Sequence, residues 1–295
     1  MTFNPDAKID SSKVSKRGRN TAIGVGAGGG LALILALVGP LLGVDLSGLA
    51  PLFEGGQSQQ VTEEDLSHCD TGADANENVE CRMVGAATSL DDYWKGVFAR
   101  SSNVPDYVTP GFIVFESSTS SGCGMASAAT GPFYCPSDGS IYLDTGFFDQ
   151  LRTQFGASGG PLAEMYVVAH EWGHHIQNVL GTMNNLNLRE SGPTSDSVRL
   201  ELQADCYGGA WANAASTQPD GSGTTFLKPI TQQQIADALN AASVIGDDRI
   251  QEASGGQVNP HQWTHGSSEQ RQKWFLKGFE GGPGVCNTFG PNVDL

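Results

Sequence analysis

The chain has 295 residues, enough for one large domain or two small ones. Sixteen Lys and Arg stand against 32 Asp and Glu, for a net charge of −16. Residues 1–44 hold five basic and two acidic side chains, a local +3 that leaves −19 on the remainder, so a nucleic-acid partner, which wants basic patches, is excluded.

From the amino terminus, residues 1–20 read as a basic cytoplasmic segment. Thr21 to Val44 carries no charge and is strongly apolar over Leu31–Val38, long enough to cross a bilayer as one helix. The basic cluster ahead of it predicts a cytoplasmic N-terminus and an exported remainder, periplasmic or at the cell surface. A cleaved signal peptide is the rival reading. Gly48-Leu49-Ala50 has the small residues a peptidase needs, but Pro51 fits poorly after a cut, so a retained anchor is favoured. Residues 45–65 read as a flexible tether, and 66–295 as the folded domain.

Six cysteines follow the apolar run and none precede it, which in an oxidising compartment predicts disulfides. Sequence neighbours suggest Cys69–Cys81, Cys123–Cys135 and Cys206–Cys286, although six cysteines allow about fifteen pairings. Asp70 to Asn78 reads as a solvated acidic loop closed by the first pair. Leu90, Trp94, Val97 and Phe98 share one face of a short amphipathic helix. Gly111–Phe115, Phe133–Cys135 and Ser140–Asp144 read as strands, with a loop over 117–131 and a turn over 136–139. Phe147, Phe148 and Leu151 open another helix.

Met165, Val168, Ala169, Ile176 and Val179 recur at helical spacing, and Gly181 closes the run. Within this helix His170-Glu171-Trp172-Gly173-His174 is a His-Glu-x-x-His pattern. Two imidazoles four residues apart lie on one face and can share a zinc ion, and Glu171 beside them can take a proton from an attacking water. The bland alternative is a half-buried helix whose histidines merely pack. A second helix over 197–212 carries Glu201 and Asp205 on one face. Glu201 would be the third ligand, and Asp205 would accept the free ring N–H of a ligand histidine. Three protein ligands around one zinc ion leave the open position of a catalytic site.

These residues, with Tyr134–Asp144 and Glu201–Trp211, resemble the zincin metallopeptidases of the glutamate-ligand kind, and more narrowly the bacterial putative neutral zinc metallopeptidase family. The resemblance covers nearly the whole chain. It implies an α+β, zincin-like fold, a small antiparallel sheet plus a helical lobe after one N-terminal transmembrane helix. It implies zinc on His170, His174 and Glu201, with Glu171 as the base.

Downstream, Thr231 caps a helix to Val244, and Ser267 with Gln270 forms a capping box for a last helix to Phe279. Between them, Thr264-His265 resembles the late histidine segment of membrane-linked zincins, which implies that His265 hydrogen-bonds the oxyanion. A loop histidine capping a helix is the alternative, and His261 and Tyr207 are weaker rivals. His175 reads as structural, and His68 has no evident partner. The expectation is a membrane-anchored endopeptidase acting on a peptide or protein that pairs with an edge strand, Ser140–Asp144 being the candidate. A non-catalytic zinc-binding adaptor or chaperone of the same fold, and an exported domain that binds no metal, stay open. The sequence does not fix the oligomeric state.

Overall fold

The computed structural model describes residues 2–18, 63–127, 130–220, 223–253 and 255–295. The transmembrane segment and tether expected over 21–65 therefore fall almost wholly outside the described residues. Among the described residues no helix is long and apolar enough to cross a membrane.

Five short strands form a mixed sheet. They are β1 (Ser15–Arg17), β2 (Glu63–Glu64), β3 (Gly111–Phe115), β6 (Phe133–Cys135) and β7 (Ser140–Asp144), in the order β2-β1-β3-β7-β6. β1, β3 and β7 run parallel, and the outer strands β2 and β6 pair antiparallel. The expected antiparallel sheet is thus mixed. The reason is that β1 and β3 reach β7 by long connections, whereas β6 and β7 are joined by the expected tight turn. β7 is interior, bonded to β3 on one side and β6 on the other, so Ser140–Asp144 cannot accept a substrate strand. The edge is β6. A separate hairpin is made by β4 (Ser118–Ser121) and β5 (Gly124–Ser127), within the stretch read as a loop.

Residues Asp70 to Asn78 are not a loop. Gly72–Glu77 forms α1, opened by a capping box of Thr71 and Asp74. Asn78 then caps α2 (Val79–Arg100), of which only the last half was legible. Every residue from Cys81 to Asp91 is buried, and several are Gly, Ala, Thr or Ser. A helix enclosed on all sides has no polar stripe, so it shows no amphipathic period. The three disulfides join Cys69 to Cys81, Cys123 to Cys135 and Cys206 to Cys286.

Residues 2–18 belong to this body, although the sequence reading set residues 1–20 apart. Phe3 is 0 % exposed and Ala7, Ile9 and Val14 are buried.

The remaining helices are α3 (Phe147–Thr153), α4 (Pro161–Val179), α5 (Asp196–Thr217), α6 (Gln232–Val244), α7 (Asp247–Ala253) and α8 (Ser268–Gly281). α4 begins at Pro161, tolerated where no intrahelical donor is needed, and Gly181, with φ +70°, turns the chain away just past its end at Val179. Ser195, Thr231 and Ser267 cap α5, α6 and α8 as their positions predicted for the latter two. α5 and α8 meet backbone to backbone: a Cβ at Gly278 would fall 1.8 Å from the Cys206 carbonyl oxygen, and one at Gly209 would fall 2.0 Å from that of Phe275. α4 approaches α5 as closely. A Cβ at Gly173 would lie 2.9 Å from Ala204 Cα. This contact sets the distance between the histidines and the carboxylates.

Candidate metal centre

α4 presents His170 and His174 one turn apart, and α5 lies across them with Glu201. His170 Nε2 is 3.1 Å from Glu201 Oε2, and His174 Nε2 is 3.4 Å from Glu201 Oε1. One donor atom from each of the three falls within 4.8 Å of the other two. A tetrahedral zinc site with metal–donor distances of about 2.0–2.1 Å has donor–donor edges of ~3.3 Å. Each imidazole Nε2 lies at about that edge from one of the two oxygens of the Glu201 carboxylate.

The second ring nitrogens are fixed. His170 Nδ1 donates to Asp205 Oδ1 at 2.7 Å. His174 Nδ1 donates to Gln177 Oε1 at 2.9 Å, and the Gln177 amide is held in turn, donating to the Leu200 carbonyl at 2.7 Å. It is therefore Nε2 of each ring that faces Glu201, the atom that binds a metal once its proton is displaced.

Asp205 is the hub of a buried network. Tyr166 donates its hydroxyl to Oδ1, and Arg271, 2 % exposed, donates through Nε to Oδ2 at 2.8 Å and through a terminal nitrogen to Oδ1 at 3.0 Å. Burial pushes Asp205 up, but Arg271 and His170 outweigh it and hold the carboxyl at about 2. Burial likewise disfavours charge on the ligand set, yet Asp205 and Glu201 raise His170 to about 10, and the two imidazoles hold Glu201 well below the usual range. The set is thus matched to positive charge at its centre, which a divalent cation supplies while displacing protons.

His170, His174 and Glu201 line a cleft of about 340 Å³. Glu171 lines it beside both histidines, and among the described residues its carboxylate makes no hydrogen bond or ion pair. It is free to hold a water. His265 lines the same cleft. Its Nδ1 lies 3.3 Å from Asp247 Oδ1 and 3.0 Å from Thr264 Oγ1. Asp247 is itself fixed by the backbone N–H groups of Thr264, His265 and Gly266 at 2.7, 2.7 and 3.0 Å. Burial would lower His265, but Asp247 and Glu201 raise it. Phe133, Phe147, Phe155, Val167, Ile245 and Ile250 give the cleft apolar surface.

The structure thus brings His170, Glu171, His174, Glu201, Asp205 and His265 together. It leaves out the rivals. His261 is exposed, and Tyr207 is buried edge-on to Trp94. His175 is structural as read, bonded to the Val108 carbonyl at 2.6 Å and near the Tyr134 hydroxyl at 3.2 Å. His68 stands beside Cys69 and Cys81, whose sulfurs are spent in a disulfide. Four supporting residues were missed. Tyr166 lies four before His170 and Gln177 three after His174, so helical spacing could have found them. Arg271 and Asp247 come from other helices, and no spacing in the sequence points to them.

The "Putative neutral zinc metallopeptidase" family model matches residues 4–289. Among curated relatives, "Uncharacterized protein Rv2575" of Mycobacterium tuberculosis is 50 % identical over 227 residues, covering 76 % of this chain and 75 % of that one. "Uncharacterized protein YpfJ" of Escherichia coli K12 is 38 % identical over 296 residues, covering 98 % and 96 %. No solved structure matches. The chain belongs to the putative neutral zinc metallopeptidase family.

Proposed function

We propose that the chain is an endopeptidase that holds one zinc ion on His170, His174 and Glu201 and hydrolyses peptide bonds with Glu171 as the base. The observation that carries this reading is the Glu201 carboxylate set at tetrahedral-edge distance from both Nε2 atoms. Zinc, when bound, polarises the scissile carbonyl and lowers the pKa of a water toward ~7. Glu171 takes the proton of the attacking water and passes it to the leaving nitrogen. His265, oriented through Nδ1 by Asp247, turns Nε2 toward the oxygen on which negative charge develops. The substrate backbone adds to the outer edge of β6, whose Phe133 and Tyr134 line the cleft.

The domain works outside the cytoplasm, where its three disulfides persist, and the apolar run Thr21–Val44 holds it at a membrane. Glu171→Gln tests the chemistry. The variant should keep its zinc and cleave no peptide, whereas a non-catalytic adaptor would carry out its cellular task equally well with either residue. If cleavage by the variant equals that of the wild type, the peptidase reading fails.

A further inference from the structure

Three of the five basic residues that mark the amino terminus as cytoplasmic by the positive-inside rule are engaged elsewhere. Lys13 Nζ is 2.7 Å from the buried Asp91 of α2. Lys16 Nζ is 2.8 Å from Glu80, also of α2, and pairs with Glu64 of β2. Arg17 donates to Thr119 Oγ1 at 2.9 Å and to the Ser120 carbonyl at 3.0 Å.

The backbone is held as firmly. β1 pairs parallel with β3 and antiparallel with β2. The Thr2 and Phe3 N–H groups both donate to Asn76 Oδ1 at 2.9 Å, and Asn76 Nδ2 donates to the Phe3 carbonyl at 3.0 Å. Asn4 N–H donates to the Phe226 carbonyl at 2.9 Å. Two glycines make the room: a Cβ at Gly85 would fall 2.6 Å from the Phe3 ring, and one at Gly72 would fall 2.0 Å from the Asn4 carbonyl oxygen. A loose tail has no reason to have helix residues cut away to receive it.

We infer that residues 2–18 are an integral part of the folded body and share one side of the membrane with residues 63–295. Between residue 18 and residue 63 the chain then crosses a bilayer an even number of times. Two helical crossings need roughly forty apolar residues, and the charge-free run from Thr21 to Val44 has 24. An open two-stranded crossing would leave unpaired backbone in lipid. A single crossing between residues 18 and 63 is therefore incompatible with this fold. This replaces the single pass with a cytoplasmic N-terminus, and it does not depend on the peptidase reading.

The test uses the full chain made in intact cells. Asp6→Cys and Ser102→Cys each add one thiol at an exposed position to a chain whose described cysteines are all paired. A membrane-impermeant maleimide should label both to the same extent before permeabilisation. Equal protection of both also supports a shared side, while removing the extracytoplasmic reading. Labelling of Ser102→Cys with protection of Asp6→Cys overturns the inference. Independently, Lys16 and Glu64 are directly opposed across β1 and β2. In the purified full-length protein treated with a thiol oxidant, the Lys16→Cys/Glu64→Cys pair should form a disulfide, seen as a mobility shift on non-reducing gels. Its absence in protein that still retains zinc overturns the pairing on which the inference stands.

Discussion

Gly173 sits inside the His-Glu-x-x-His pattern, and its hydrogen side chain sets how near α5 comes to the histidines. In Gly173→Ala the new Cβ would be 2.9 Å from Ala204 Cα and 3.1 Å from both its Cβ and its carbonyl oxygen. Carbon atoms pack at about 3.5–4.0 Å, so the two helices must part by roughly 0.5–1 Å. Overpacking of this kind costs about 1–3 kcal/mol. Replacing a mid-helix glycine by alanine returns about 1 kcal/mol. The net change in fold stability is then within about 2 kcal/mol, and the protein still folds. The metal site is less forgiving, because ligand distances tolerate only about 0.2 Å. Moving Glu201 away from both imidazoles should weaken zinc binding about 10–100-fold, the range seen when supporting groups are lost. Competition against a chromophoric chelator reads the affinity, and thermal unfolding of the chelated protein reads the fold. Gly208→Ala is the control, since its Cβ would meet Ala169 Cβ at an ordinary 3.6 Å. It should leave zinc binding unchanged. Wild-type zinc affinity in Gly173→Ala would refute the claim that this helix contact sets the site.

Other consequences concern single residues. Gln177→Leu removes the acceptor of the His174 ring N–H and should weaken zinc about 10–100-fold by the same competition assay. Asp247→Asn weakens the hold on His265. Steady-state kinetics should show kcat falling with KM and zinc content little changed. The Asp205 carboxyl titrates at about 2 in the fold against ~3.9 in an unfolded chain. A depressed acid stabilises the fold fully above its unfolded value, and that stabilisation is lost as pH falls through the folded one. Stability on the order of 2–3 kcal/mol should therefore disappear between pH ~4 and ~2. Urea unfolding of chelated wild type should show a steeper fall over this window than Asp205→Asn.

The ligand set was legible because each part is a local pattern. His170 and His174 are fixed by one helical turn, and Glu201 with Asp205 repeats that spacing on the next helix. What escaped notice depends on packing between distant segments. Arg271 reaches Asp205 only because Gly209 and Gly278 let α5 and α8 touch. The first half of α2 is buried on every side, so its hydrophobic period is erased. The sheet was misjudged for a related reason: strand direction and order are decided by what pairs, and β1 arrives from the far end of the chain. Ser140–Asp144 looked like a candidate edge because nothing in it reveals the partners on both sides. The charges of Lys13, Lys16 and Arg17 read as a membrane signal until their partners on α2, β2 and β4 were seen.

The most direct measurement is zinc-edge X-ray absorption on the loaded full-length protein with its metal content determined in parallel. The account predicts one zinc per chain, with a first shell of nitrogen and oxygen only at about 2.0–2.1 Å and the scattering signature of two imidazoles. A sulfur shell near ~2.3 Å, or a stoichiometry close to zero, would contradict it.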